Sequence, residues 1–60
     1  MIPGPMLVVR TGMVTFGLVL DPDTYRVIEA PPVARKSVGR SAGSAARYWR
    51  ARGASVTWLP

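Results

Sequence analysis

The sequence predicts an α+β fold class: a small single domain with an antiparallel three-stranded meander, a broken helix and a C-terminal strand, in the order β-β-β-α-β. Three observations predict it. Residues 13–20 alternate with the period of a strand, Val14, Phe16, Leu18 and Leu20 on one face and Met13, Thr15, Gly17 and Val19 on the other. Asp21-Pro22-Asp23-Thr24 follows as a tight turn, because Pro22 presets φ for its second position and the Asp21 carboxylate can bond back to the backbone. Later in the chain Ala42, Ala45, Ala46 and Trp49 recur at i, i+3, i+4 and i+7, the stripe of a helix that packs closely on a sheet.

The elements follow in order. Residues 1–5 form an irregular N-terminal arm, since Pro3, Gly4 and Pro5 suit neither a helix nor a central strand. Residues 6–10 are a short β-branched strand, and Thr11-Gly12 supplies a turn in which glycine accepts positive φ. Gly17 leaves a gap on the second strand, fit for a bulge or the approach of an aromatic ring. A third strand, residues 25–30, places Tyr25, Val27 and Glu29 on one face. Pro31-Pro32 ends it because proline cannot donate to a ladder, and Pro32 opens a helical turn to about Val38 that Gly39 closes. Ser41 is the N-cap of a second helical piece, residues 42–52, with Gly53 just past its end. In residues 54–59, Val56 and Trp58 share one face and Ser55, Thr57 and Leu59 the other. A helix returning over the sheet is expected to lay this strand parallel to the third. The expected core is Leu7, Val9, Val14, Phe16, Leu18, Val27, Ala45, Trp49, Val56 and Trp58.

Size bounds what such a domain does. Residues 1–60 make one domain, and a chain this short buries only about 60% of the surface its unfolded form exposes. The chain has no cysteine and no histidine, which excludes disulfides and the usual zinc sites. Stability therefore comes from packing, from a partner or from a homo-oligomer. No stretch reaches the 18 or so apolar residues of a membrane span, and residues 1–9 lack the basic start of a signal peptide. The expectation is a soluble cytoplasmic protein that makes no membrane contact.

Catalysis and cofactors find little support. Acid–base chemistry at neutral pH needs a histidine or a tuned carboxylate, yet Asp21 and Asp23 flank a solvated turn. Lys36 and Ser37 are adjacent, and adjacent residues on a helix do not face each other. Asp21-Pro22-Asp23 lacks the glycine and glutamate of a calcium loop, Arg26 and Pro32 standing at those positions. The Gly/Ser-rich stretch 37–44 lacks the glycine–lysine pair of a phosphate-binding loop. The expectation is no enzyme, no metal and no cofactor.

Charge is the feature that points to a partner. Residues 1–34 carry two bases against three acids (Asp21, Asp23 and Glu29), while residues 35–60 carry six bases and no acid. Codon bias in a GC-rich genome accounts for arginine over lysine, but not for the missing acids, which such codons also encode. Tyr48 and Trp49 are interleaved with Arg47, Arg50 and Arg52. A helix with that pattern makes a basic surface for a polyanion, and the expected nucleic-acid-binding residues are Arg35, Lys36, Arg40, Arg47 and Arg50, centred on Arg47. Tyr48 or Trp58 could stack on unpaired bases. Arg50 and Arg52 also sit where cations favour a helix C-terminus. The function expected is thus DNA or RNA binding without catalysis. The alternative is a protein-interaction or assembly module with an acidic partner, such as a phage-type accessory protein that modulates a host complex or a minor component of a larger particle. An exposed strand edge at residues 6–10 or 54–59 would serve that alternative.

Overall fold

A computed structural model describes residues 5–59 of the chain. Among them, β1 (Met6–Arg10), β2 (Thr15–Leu20), β3 (Val27–Glu29) and β4 (Ser55–Leu59) form one sheet in the spatial order β3-β2-β1-β4. A 3-10 segment, Pro32–Ser37, and helix α1, Ala42–Ala51, lie in the chain between β3 and β4. The α+β order is the one the sequence predicts. Residues 1–4 of the expected arm lie outside the described residues, and the Pro5 carbonyl accepts the Leu20 N–H at 2.9 Å, extending the ladder.

β1 and β2 pair in regular antiparallel register from Met6↔Val19 to Arg10↔Thr15. The hairpin closes through Thr11, not through a left-handed Gly12; the described glycines with positive φ are Gly39 (92°) and Gly53 (88°). Thr11 Oγ1 accepts from the N–H groups of Met13 (3.2 Å) and Val14 (2.9 Å), and the Thr11 N–H donates to the Val14 carbonyl at 2.8 Å. That loop draws Met13 and Val14 out of the expected strand, so β2 starts at Thr15 and Val14 is exposed, not core. The gap at Gly17 is filled by the methyl of Met6, lying where a Cβ would stand, and not by a ring or a bulge.

The Asp21 turn forms as expected, with Oδ1 accepting from the N–H groups of Asp23 (2.7 Å) and Thr24 (3.1 Å). Tyr25 then takes a left-handed φ of 57°, which no strand residue adopts. Two bonds hold it there: its N–H donates to the Asp21 carbonyl and its carbonyl accepts from Ala42. β3 therefore begins at Val27, with a register shift between Val19 and Leu20, and Val27 is buried while Tyr25 and Glu29 are exposed. The expected common face of those three residues does not form.

The last strand corrects the predicted topology. β4 runs antiparallel to β1, from Met6↔Leu59 to Arg10↔Ser55, and is neither beside β3 nor parallel to it. Two facts explain this. The free side of β3 is taken by residues 39–42, through Val27 N–H to the Arg40 carbonyl and Gly39 N–H to the Val27 carbonyl, both 2.8 Å. And α1 starts beside Tyr25, at one end of the sheet, so a single helical crossing delivers the chain to the other end, where Arg10 and Ser55 pair. From there a strand can only run back against β1. β1 is consequently interior and offers no edge.

The core lies between the sheet and the helical layer: Leu7, Val9, Leu18, Leu20 and Val27 from strands, Ala34, Ala45, Ala46, Trp49 and Ala54 from the covering segments. Phe16 and Val56 pack against it partly buried. Trp58 points to the same sheet face, as its pairing with Leu7 requires, but is 45% exposed because β4 has a strand neighbour on one side only. Its ring meets Tyr25 edge to face at 5.5 Å between centroids.

Candidate nucleic-acid interface

The basic surface is built on α1 and on the segment before it. Ser41 starts the helix as predicted, its Oγ accepting the Ser44 N–H at 3.2 Å. Gly53 follows the last turn at φ 88°, with its N–H on the Arg50 carbonyl at 3.0 Å. Between those ends Ala45, Ala46 and Trp49 are buried, which sets the rotation of every arginine on the helix. With about 100° between successive residues, Arg47 and Arg50 fall on one flank of the buried stripe, and Tyr48 and Arg52 on the other.

The 3-10 segment is tied to the second flank by one buried bond. Trp49 Nε1–H donates to Ser37 Oγ at 3.0 Å, and Ala34 and Ser37 are both buried beneath the helix. That docking leaves Arg35 and Lys36 exposed at the mouth of an open cleft of about 570 Å³, lined also by Pro32, Val33, Tyr48, Trp49 and Arg52. Among the described residues no acid lines this cleft.

Arg40 joins the same side. Its Nε–H donates to the Lys36 carbonyl and its Nη1–H to Ser44 Oγ, both at 3.3 Å. Its guanidinium carbon stands 5.2 Å from the centroid of the Tyr48 ring, and that of Arg52 stands 4.5 Å from it. Trp49 meets the same ring edge to face at 5.2 Å. The negative face of an aromatic ring attracts a guanidinium, so Tyr48 offsets part of the repulsion between two cations gathered around it. Arg26 and Arg50 bond to the carbonyls of Gly39 (3.0 Å) and Val56 (3.4 Å), so their partners, like those of Arg40, are neutral groups and not carboxylates.

The structure thus divides the five residues singled out from sequence. Arg35 and Lys36 share a cleft with Tyr48 and Arg40 stands over that ring, while Arg47 and Arg50 lie on the far flank, Arg47 exposed and Arg50 reaching towards β4. Arg52 belongs with the first group, although as a helix-end cation it carries a purely structural explanation in the sequence. The spacing that reveals it is Arg40, Ser44, Tyr48, Arg52, one line of residues four apart. Neither aromatic suggested as a stacking platform is free: Tyr48 is half-buried among two guanidinium groups and Trp49, and Trp58 is engaged with Tyr25.

Ser37 is spent on Trp49, Ser41 on the helix cap and Ser44 on Arg40. Among the described residues no group of His, Cys, Asp or Glu is placed to hold a metal ion, and no helix is long and apolar enough to cross a membrane. Comparison with protein-family models, with curated proteins and with solved structures finds no match.

Proposed function

We propose that this protein binds nucleic acid without catalysis, through phosphate contacts on the basic surface of α1 and the 3-10 segment. The observation that supports it best is that Arg35, Lys36 and Arg52 share a cleft with Tyr48, with no acid among its described lining residues, while Arg40 stands over the same ring. Four cations on one side of a small domain create a local field that long-range steering and phosphate neutralisation both exploit. With Tyr48 and Trp58 both engaged by neighbouring side chains, the contacts position a sugar–phosphate chain and carry little sequence preference.

Three phosphate contacts give a slope of about −2.7 in log K against log salt, a roughly 40-fold loss of affinity between 50 and 200 mM. Fluorescence anisotropy with labelled single- and double-stranded oligonucleotides of two unrelated sequences tests this. Salt-dependent binding of both sequences is the expected result; binding that ignores salt, or none at 50 mM, overturns the proposal. An acidic protein surface is the other polyanion such a face fits. Salt-sensitive retention of one protein from a nuclease-treated lysate, with no oligonucleotide binding, would assign the surface to that partner instead.

A further inference from the structure

The two edges of the sheet are finished differently. The outer edge of β3 is closed by residues 39–42, including the Arg26↔Ser41 bridge. Among the described residues no backbone segment pairs with the outer edge of β4. We propose that two copies of this chain pair antiparallel through β4, forming one continuous sheet across a two-fold axis at Thr57.

Hydrogen-bond alternation shows which groups are free. The Pro5 carbonyl accepts from Leu20 and the Thr11 N–H donates to Val14, so odd-numbered residues of β1 direct their backbone groups to β2. Met6, Val8 and Arg10 therefore direct theirs to β4, where they meet Leu59, Thr57 and Ser55. Val56 and Trp58 are left with N–H and C=O pointing away from the sheet. The Arg50 guanidinium reaching the Val56 carbonyl at 3.4 Å is consistent with that direction.

This edge is complementary to itself. In a two-fold pairing about Thr57, Val56 of each copy opposes Trp58 of the other, and each opposed pair exchanges both of its hydrogen bonds. Every outward group of both residues in both copies then has a partner. The Val56 carbonyl has a second lone pair, so Arg50 need not leave it. Apart from the Arg50 guanidinium that reaches the Val56 carbonyl, the strand is unprotected among the described residues: β4 contains no charged residue and no proline, its register with β1 has no bulge, and Trp58 and Leu59 are 45% and 42% exposed. Val56 and the Trp58 ring of the other copy would lie on the same sheet face and cover each other.

Size and charge set the strength of this dimer. A stable interface takes about 800 Å² from each partner, roughly a fifth of the 4108 Å² of this chain. A five-residue strand with one flank of α1 offers less, so the dimer is weak and concentration-dependent. Each copy carries +5, and the two Arg50 side chains approach the joint. Salt screens that repulsion. Association therefore tightens as salt rises, the opposite sign to nucleic-acid binding, and either proposal can fail without the other.

Sedimentation velocity from about 10 µM to about 1 mM, at 50 and 500 mM salt, tests the pairing. The expected result is a species of twice the 6.5 kDa chain mass, appearing at lower concentration in high salt. Thr57 is exposed, so Thr57→Lys leaves the core alone but sets two like charges side by side on the axis. Thr57→Lys and Thr57→Glu should each be monomeric, and an equimolar mixture of the two should recover the dimer. In the unaltered chain, amide-exchange protection of Val56 and Trp58 should rise with concentration. A monomer across the whole range, a dimer indifferent to Thr57→Lys, or Val56 and Trp58 amides whose protection ignores concentration would each overturn the proposal.

Discussion

The two flanks of α1 carry arginines of the same chemistry in different surroundings. On one, Arg40 and Arg52 crowd the Tyr48 ring, and Arg52 shares a cleft with Arg35 and Lys36. On the other, Arg47 is exposed and Arg50 leans on a backbone carbonyl of β4. The difference arises from what packs beside each flank. The 3-10 segment brings its own bases and is fastened by the Trp49–Ser37 bond, whereas β4 brings no charge at all. Arg40 and Arg52, held against a ring, have less side-chain freedom to lose on meeting any anion than a free arginine such as Arg47.

The largest expected effect removes the residue that joins the two sides. Trp49→Ala should cost about 3–5 kcal/mol. A domain of this length has roughly 3–9 kcal/mol to lose, so the variant should be largely unfolded by near-ultraviolet circular dichroism. Ser37→Ala keeps the packing but strands the buried indole N–H, which should cost about 1–3 kcal/mol by urea denaturation. A loss as small in Trp49→Ala as in Ser37→Ala would show that the anchor is the hydrogen bond and not the ring.

Charge reversal then separates the flanks directly. Arg35→Glu with Arg52→Glu should lower the salt slope of oligonucleotide binding by about 1.8, the value for two phosphate contacts. Arg47→Glu with Arg50→Glu should lower it by about 0.9, because Arg50 is already engaged by Val56. Equal losses would erase the contrast between the flanks, and a larger loss for Arg47 and Arg50 would invert it. Ser41→Ala, which removes the N-cap, should cost about 1 kcal/mol in urea denaturation and leave the salt slope unchanged, since it bears on both flanks alike. Smallest of all, Tyr48→Phe should keep stability within about 0.5 kcal/mol and leave binding intact, because the ring and not the hydroxyl meets Arg40 and Arg52.

Local chemistry accounts for what was legible in advance. Asp21 and Pro22 make their turn, Pro31-Pro32 ends β3, Ser41 caps α1 and Gly53 follows its end, each through atoms within a few residues of one another. The alanine stripe with Trp49 packs inward for the same reason. Errors arise where a hydrogen bond from outside the alternating pattern captures the backbone. Val14 continues the alternation of β2 in sequence, but Thr11 captures its backbone. Tyr25 alternates with Val27, but bonds to Asp21 and Ala42 turn it left-handed. Of the candidate site, the basic residues were legible as a set, while their division into two groups was not. That division depends on which side of α1 the 3-10 segment occupies.

By itself, then, the sequence determined the element order, the caps and turns, the inward stripe of α1 and the excess of positive charge after Glu29, because each depends on contacts a few residues apart or on composition alone. Only the tertiary structure decided that β4 closes on β1, that β3 is covered by residues 39–42 while no described segment pairs with the outer edge of β4, and that Arg52 joins Arg40 at Tyr48 beside the cleft of Arg35 and Lys36. Those outcomes follow from where a single helical crossing sets down the chain and which strand edge is still unpaired when it arrives, and no local pattern of residues encodes either.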